Sequence, residues 1–146
     1  MKQQQGFTLI ELVVVIIILG ILAVTAVPKF INLQDDAKAA TAKGVAASMK
    51  GALQMVYAKA LIGGVDKDAT ASVAVSTIGS VNTVYGYPEA SADGIAKVID
   101  IDTSIWKSNA SAASGTYVVQ YNGDSSCSVT YSEATSAAAA TASSSC

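Results

Sequence analysis

The hydrophobic pattern changes once near the start of the chain. From Phe7 to Val27 the sequence reads FTLIELVVVIIILGILAVTAV, 21 residues that are apolar in every direction around a helix axis, with one ionisable group, Glu11. At ~1.5 Å per residue such a helix reaches roughly 31 Å, enough to cross a hydrocarbon core of ~30 Å. The β-branched run Val13–Ile18 would suit a buried strand in water, but a strand of about 4 to 8 residues is much shorter than this stretch. Beyond Pro28 the pattern becomes amphipathic: Phe30, Leu33, Ala37, Thr41, Val45, Met49, Leu53, Val56 and Ala60 recur three or four residues apart, with Lys38, Lys43, Lys50 and Lys59 between them. The pattern predicts one helix from Phe7 to about Ile62, stopped by Gly63 and Gly64. Gly20 and Pro28 are its weak points, because glycine costs ~1 kcal/mol against alanine and proline removes a backbone donor.

From Val65 onward Ser, Thr, Ala and Gly dominate, and the period shortens to two. Thr116–Tyr121 and Cys127–Tyr131 alternate apolar and polar positions on either side of Asn122-Gly123-Asp124-Ser125, which predicts an antiparallel hairpin. Val81–Tyr87, ended by Pro88, is a weaker strand candidate. Ile95, Val98 and Ile99 fit a short helix or a buried strand equally well. The tail after Glu133 is low-complexity.

Composition narrows the function. The chain has 146 residues, a net charge of −2, 14% charged residues and neither His nor Arg. It therefore lacks the usual imidazole base and metal ligand, the guanidinium fork for phosphate, and the basic footprint of a nucleic-acid binder. These features argue against an enzyme. The residues after the apolar segment are near the lower size limit for a self-sufficient core, so extra support is expected. Cys127 and Cys146, an even count beside an export-type segment, suggest a disulfide formed outside the cytoplasm; two unrelated free thiols are the alternative. Closing that loop is worth ~3 kcal/mol in a chain-entropy treatment.

An N-terminal apolar run is ordinarily a signal peptide or a plain anchor. This one is too long for the first and carries a carboxylate that the second does not need. Glu11 costs on the order of 2.5 to 3.5 kcal/mol at the centre of a bilayer and less near an end, which makes it a functional candidate. Were the chain cut after Gly6, the new α-amino group of Phe7 would lie one turn from Glu11. A neighbouring copy's Phe7 amine could then pair with it and set register, since an unpaired buried charge is strongly penalised.

The segment Gly6-Phe7-Thr8-Leu9-Ile10-Glu11, behind a short polar leader and ahead of an uninterrupted apolar run, resembles the prepilin peptidase signature of type IV pilins and the related pseudopilins. The likeness covers about the first 60 residues, and the leader MKQQQG is of the short IVa kind, although Lys2 is its only basic residue. The stretch AVPKFINLQDDAKAAT most resembles pilins of the mannose-sensitive haemagglutinin type. The resemblance implies an α+β pilin fold, with a long N-terminal helix whose second half packs on a small antiparallel sheet. It divides the chain into a leader (1–6), a membrane and polymerisation helix half (7–28), an amphipathic half (29–62) and a head (63–146). It further implies cleavage between Gly6 and Phe7, N-methylation of Phe7, assembly guided by Glu11, and unwinding between Gly20 and Pro28 on entry into a filament. The implied partners are the prepilin peptidase and N-methyltransferase, the inner-membrane assembly machinery, other copies of the chain, and a host or environmental surface. The implied location is the bacterial inner membrane, then an extracellular pilus. No cofactor is implied. A comparable disulfide-bounded C-terminal region makes subunit or surface contacts in many pilins.

Other constellations are weak. Asp93, Asp100 and Asp102, or Asp66 and Asp68, offer oxygen ligands without the spacing of an EF-hand loop, so no metal is assigned. Asn109-Ala110-Ser111 matches a glycosylation pattern that arises readily by chance in Ser-rich sequence. Trp106 and the tyrosines suit packing better than sugar contact. Two competing readings remain: a pseudopilin of a type II secretion system, and a membrane-tethered sugar-binding module that never polymerises.

Overall fold

The computed structural model describes residues 6–109 and 112–146, and the side chains of all of these except residues 31 and 32. The leader residues before Gly6, Lys2 among them, and Ala110-Ser111 of the glycosylation pattern lie outside the described residues. The chain forms two compact units, Met1–Ala37 and Lys38–Cys146.

Helix α1 spans Leu9–Gly63, with Gly20 and Pro28 inside it. Its C-terminus closes as a Schellman turn: Gly64 takes φ 67°, Val65 N–H donates to the Ala60 carbonyl at 3.0 Å, and Gly64 N–H donates to that of Leu61 at 3.2 Å. The left-handed conformation at Gly64 is cheap only without a Cβ, so the predicted stop has a physical cause.

In the unit Lys38–Cys146 the buried face of α1 is Ala42, Ala46, Met49, Ala52, Leu53, Val56 and Ala60. This corrects the predicted stripe: Thr41 is exposed, Val45 is half-buried, and Phe30, Leu33 and Ala37, which belong to the other unit, are exposed. Between Leu33 and Leu53 the predicted list advances only by fours, which rotates about 40° per step and drifts off a fixed face, whereas the observed line mixes steps of three and four throughout. Small residues at 42, 46, 52 and 60 allow close approach, and Met49, Leu53 and Val56 fill the space between.

Two antiparallel sheets supply the rest of the head. The first has the order β1-β2-β3, made of Ala71–Val75, Gly79–Val84 and Tyr87–Pro88. Helix α2, Ile95–Val98, follows and settles the ambiguous segment as helix. The second sheet has the order β4-β5-β6-β7, made of Trp106–Ser108, Thr116–Tyr121, Asp124–Ser132 and Thr141–Ser145. The sequence pattern predicts one strand over Val81–Tyr87, but the strand breaks at Tyr85-Gly86 and the chain reverses into β3. The β5–β6 hairpin is present with Tyr117↔Tyr131 and Val119↔Val129 paired, and it turns on Asn122-Gly123 alone. Its register shifts between Gln120↔Ser128 and Tyr121↔Asp124, leaving Ser125 to Cys127 as extra residues of β6. The low-complexity tail is not structureless: Thr141–Ser145 pairs with Ser132–Ser128, and Ala140 and Ala142 are buried.

Val119, Val129, Tyr131 and Trp106 share one core with the buried face of α1 and with Val75, Val81 and Ile95 of the first sheet and α2. Two hydrogen bonds tie the sheets together. The Tyr131 hydroxyl donates to the Pro88 carbonyl at 2.5 Å, and Ala90 N–H donates to Glu133 Oε2 at 2.9 Å. Burial holds the Tyr131 phenol well above its ordinary pKa, with the neighbouring Glu133 charge acting in the same direction. Trp106 packs edge-on against Tyr121 with ring centroids 5.6 Å apart, the packing role expected for it.

Candidate functional site

The sequence residues with an expected role fall at the start of α1, within its first half at Gly20 and Pro28, and at the C-terminal sheet edge. In the unit Met1–Ala37, every large apolar side chain of the run from Phe7 to Val27 is exposed, from 37% at Val13 to 86% at Phe7. An uninterrupted apolar surface of this length is stable in lipid or against other apolar helices, and α1 is long and apolar enough to cross a membrane.

Glu11 is better provided for than the sequence reading allowed. Thr8 is the N-cap of α1, and Thr8-Leu9-Ile10-Glu11 forms a capping box. The Thr8 N–H donates to Glu11 Oε2 at 2.8 Å, the Thr8 hydroxyl donates to the same oxygen at 2.7 Å, and Glu11 N–H donates to Thr8 Oγ1 at 3.3 Å. The carboxylate also sits at the positive end of the helix dipole. Thr8 was missed, although the spacing T-x-x-E ahead of an apolar run is a recognised helix-start signal. Phe7 and Gly6, the expected cleavage pair, directly precede this cap and are exposed. At Gly20 an added Cβ would meet nothing within 4 Å, so packing within the chain does not require glycine there. The Thr25 hydroxyl donates back to the Leu22 carbonyl at 3.0 Å, just before Pro28.

At the far edge of the second sheet Cys127 and Cys146 are joined by a disulfide, with a Cα–Cα distance of 4.1 Å and a sequence separation of 19. Cys127 is buried, and the bridge follows directly on the ladder pair Ser128↔Ser145, so it clamps β7 at its outer end. The low-propensity Ser/Ala strand β7 is thereby held by five pairs and one covalent bond.

Two of the carboxylates weighed as metal ligands, Asp93 and Asp102, have other engagements. Asp93 pairs with Lys97 at 2.8 Å. Asp102 accepts from the Ser104 hydroxyl at 2.6 Å and from its N–H at 2.8 Å, which lowers its pKa. Asp66 and Asp68 lie on the short turn between α1 and β1. Among the described residues no group of three or more His, Cys, Asp or Glu converges on a common point.

Residues 1–27 match the family profile of the prokaryotic N-terminal methylation motif. The chain is 50% identical over 54 residues to the type II secretion system core protein G of Pseudomonas aeruginosa, covering 37% of this chain and 38% of that protein. It is 45% identical over 56 residues to the type IV narrow pilus major component PilA5 of Thermus thermophilus, covering 38% of this chain and 48% of that one. It is 38% identical over 82 residues to the fimbrial protein EcpC of Eikenella corrodens, covering 56% and 53%. The chain thus spans about half the length, or less, of these curated relatives. No solved structure matches it. A methylation motif thus lies ahead of a capped apolar helix, with an α+β head of antiparallel sheets behind it, and over its N-terminal part the chain is similar both to type IV pilins and to type II secretion core proteins.

Proposed function

We propose that the chain is the structural subunit of an extracellular type IV pilus used for attachment and surface colonisation, with surface motility as a further use. The observation that carries this reading is the run of exposed large apolar side chains on α1 with a carboxylate one turn from Phe7. Such a surface is stored in the inner membrane before assembly and covered by neighbouring helices afterwards. A prepilin peptidase cuts between Gly6 and Phe7, and N-methylation marks the new terminus. Before the cut, the capping box satisfies Glu11 within its own helix. After it, the Phe7 amine of a neighbouring copy competes with Thr8 for the carboxylate, and a bond between two ionised partners adds a Coulombic attraction that the Thr8 donors lack. The exchange sets the axial register. Gly20 and Pro28 bound the segment that unwinds as the subunit leaves the bilayer.

Mass spectrometry and electron microscopy of sheared surface material test this directly. Filaments built from chains that begin at methylated Phe7 are expected. An uncut chain that stays monomeric in the membrane refutes polymerisation and returns the tethered sugar-binding module. A second reading, a pseudopilin of a secretion system, is favoured by the 50% identity to a type II secretion core protein. Deleting the gene separates the two: loss of surface filaments with normal protein export supports the pilus, and loss of export with filaments intact supports the pseudopilus.

A further inference from the structure

The two sheets of the head end on four edges, β1 and β3 in the first and β4 and β7 in the second, all within the unit Lys38–Cys146. Three of these edges are closed by the chain itself. Strand β3 is two residues long, and its Pro88 has no N–H and gives its carbonyl to the Tyr131 hydroxyl. At β4 the Trp106 N–H donates to the Asp102 carbonyl at 2.8 Å. Beside β7, Glu133 N–H donates to the Gly115 carbonyl at 3.0 Å, so Glu133, Tyr131 and Val129 turn their backbone groups to β5, and Ser132, Thr130 and Ser128 turn theirs to β7. The outward residues of β7 are therefore Ala142 and Ser144, and Ala142 is only 4% exposed.

Strand β1 is open. Its register with β2 sets Ser72 against Asn82. Asn82 N–H donates to the Asp93 carbonyl at 3.0 Å, and the Asn82 carbonyl accepts from Glu89 N–H at 2.9 Å, so both groups face away from β1. Ser72↔Asn82 is thus a non-hydrogen-bonded pair. It follows that Ser72 and Ala74 turn their N–H and carbonyl groups outward, while Ala71, Val73 and Val75 bond to β2. Both outward residues are exposed, and their backbone groups have no backbone partner among the described residues. Open edges are ordinarily guarded by lysine, proline, a bulge or brevity. Strand β1 reads ASVAV, keeps an unbroken register over five pairs and has none of these guards.

We propose that β1 is a self-pairing edge, through which two copies of the head join as antiparallel strands about a twofold axis at Val73. In that register Ser72 of one copy faces Ala74 of the other, and the hydrogen bonds of the seam use only groups that a single head leaves open. An interface of this symmetry requires a surface that fits its own copy. Ser72 and Ala74 are small on one side of the seam, and the two Val73 side chains meet on the other as a non-hydrogen-bonded pair, the closer kind. The strand carries no charge, so two copies meet without repulsion and no field selects a foreign partner of one sign. The same register sets Ser76 opposite Thr70, and Ser76 opens the turn that carries Ile78, a large apolar side chain left 37% exposed. The pairing concerns the head alone and does not depend on polymerisation through α1.

The test uses the purified full-length chain in detergent, with amide exchange followed residue by residue as protein concentration is raised. Ser72 and Ala74 N–H are expected to exchange fast in dilute protein and to slow together at high concentration, while Val73 N–H, bonded within the head, stays protected throughout. Ser72→Lys places a guard at an exposed position and should weaken the pairing ~10-fold or more, read at Ala74, with the thermal midpoint unchanged. Ala74→Pro removes one outward N–H and should abolish the slowing at Ser72; should it fail to fold, Ser72→Lys decides alone. Fast exchange at Ser72 and Ala74 at every concentration overturns the proposal, and so does slowing that survives Ser72→Lys. Slowing at Ser144 in step with Ala74 would make β7 the partner edge and overturn the twofold.

Discussion

Residues 9–27 and 42–60 lie on one helix and obey different rules. The first stretch is richer in large apolar side chains, yet all of them are exposed; the second has fewer of them and alanine at six of its 19 positions, yet one face of it is buried almost completely. Burial therefore follows periodicity and not apolar content. A helix that is apolar all round has no preferred inner face and needs an apolar surrounding, whereas a narrow stripe of alternating small and large residues docks on a sheet.

Mutations can break this contrast. Val56→Asp places an unpaired charge in the core that Val56 shares with Tyr131, Val119 and Val129 and is expected to unfold the head; Met49→Ala at the same face should cost about 2 to 5 kcal/mol. Both are read by the thermal unfolding of full-length protein in detergent. Leu19→Ala, on the exposed apolar stretch, should leave that midpoint where it was. A comparable drop for Leu19→Ala would erase the distinction. Next in size is the double change Cys127→Ser and Cys146→Ser, expected to cost ~3 kcal/mol by releasing the clamp on β7. Amide exchange should then accelerate first at residues 141–145.

A charge on the exposed stretch sharpens the comparison differently. Glu11→Val should leave the head's unfolding midpoint and the cut at Gly6 unchanged but reduce filament yield, a loss that quantitative microscopy would register. Normal filaments from that variant would remove the proposed pairing with Phe7. The smallest effect belongs to Thr8→Ala, which deletes the cap and should cost ~1 kcal/mol, confined to the first turn of α1 and visible as faster exchange at Leu9–Glu11.

The pH response comes from the buried side of the contrast. Tyr131 has a raised pKa in the folded head, so its contribution to stability is complete below the unfolded phenol value of ~10 and is lost as pH rises from there through the folded value. Head stability is thus expected to be level through neutral pH and to fall in alkali. Tyr131→Phe should flatten that fall while lowering stability at neutral pH, where the bond to Pro88 is intact. An unchanged alkaline limb would disqualify Tyr131 as its source.

Much of this was legible in the sequence where one residue dictates a local geometry. Gly64 ends α1 because no other residue accepts its φ so cheaply, and Asn122-Gly123 announces its hairpin for the same reason. The second turn was not legible, because Tyr85 gives no hint of a left-handed conformation. Val81–Tyr87 therefore read as one strand. Strand β7 was hidden as well: Ser and Ala have little intrinsic strand preference, and this segment is extended only because β6 and the disulfide hold it there. At the N-terminus an argument from the cost of a lone carboxylate leaves out the Thr8 cap, which gives Glu11 a partner within the chain.

The bridge between Cys127 and Cys146 also has a mechanical consequence. If the head is stretched between α1 and Cys146, the oxidised chain can pay out only as far as Cys127. The residues enclosed by the 19-residue separation, roughly 60 Å of contour at ~3.4 Å each, carry no load until the bond is reduced. Redox state thereby sets how far a single head can lengthen under tension.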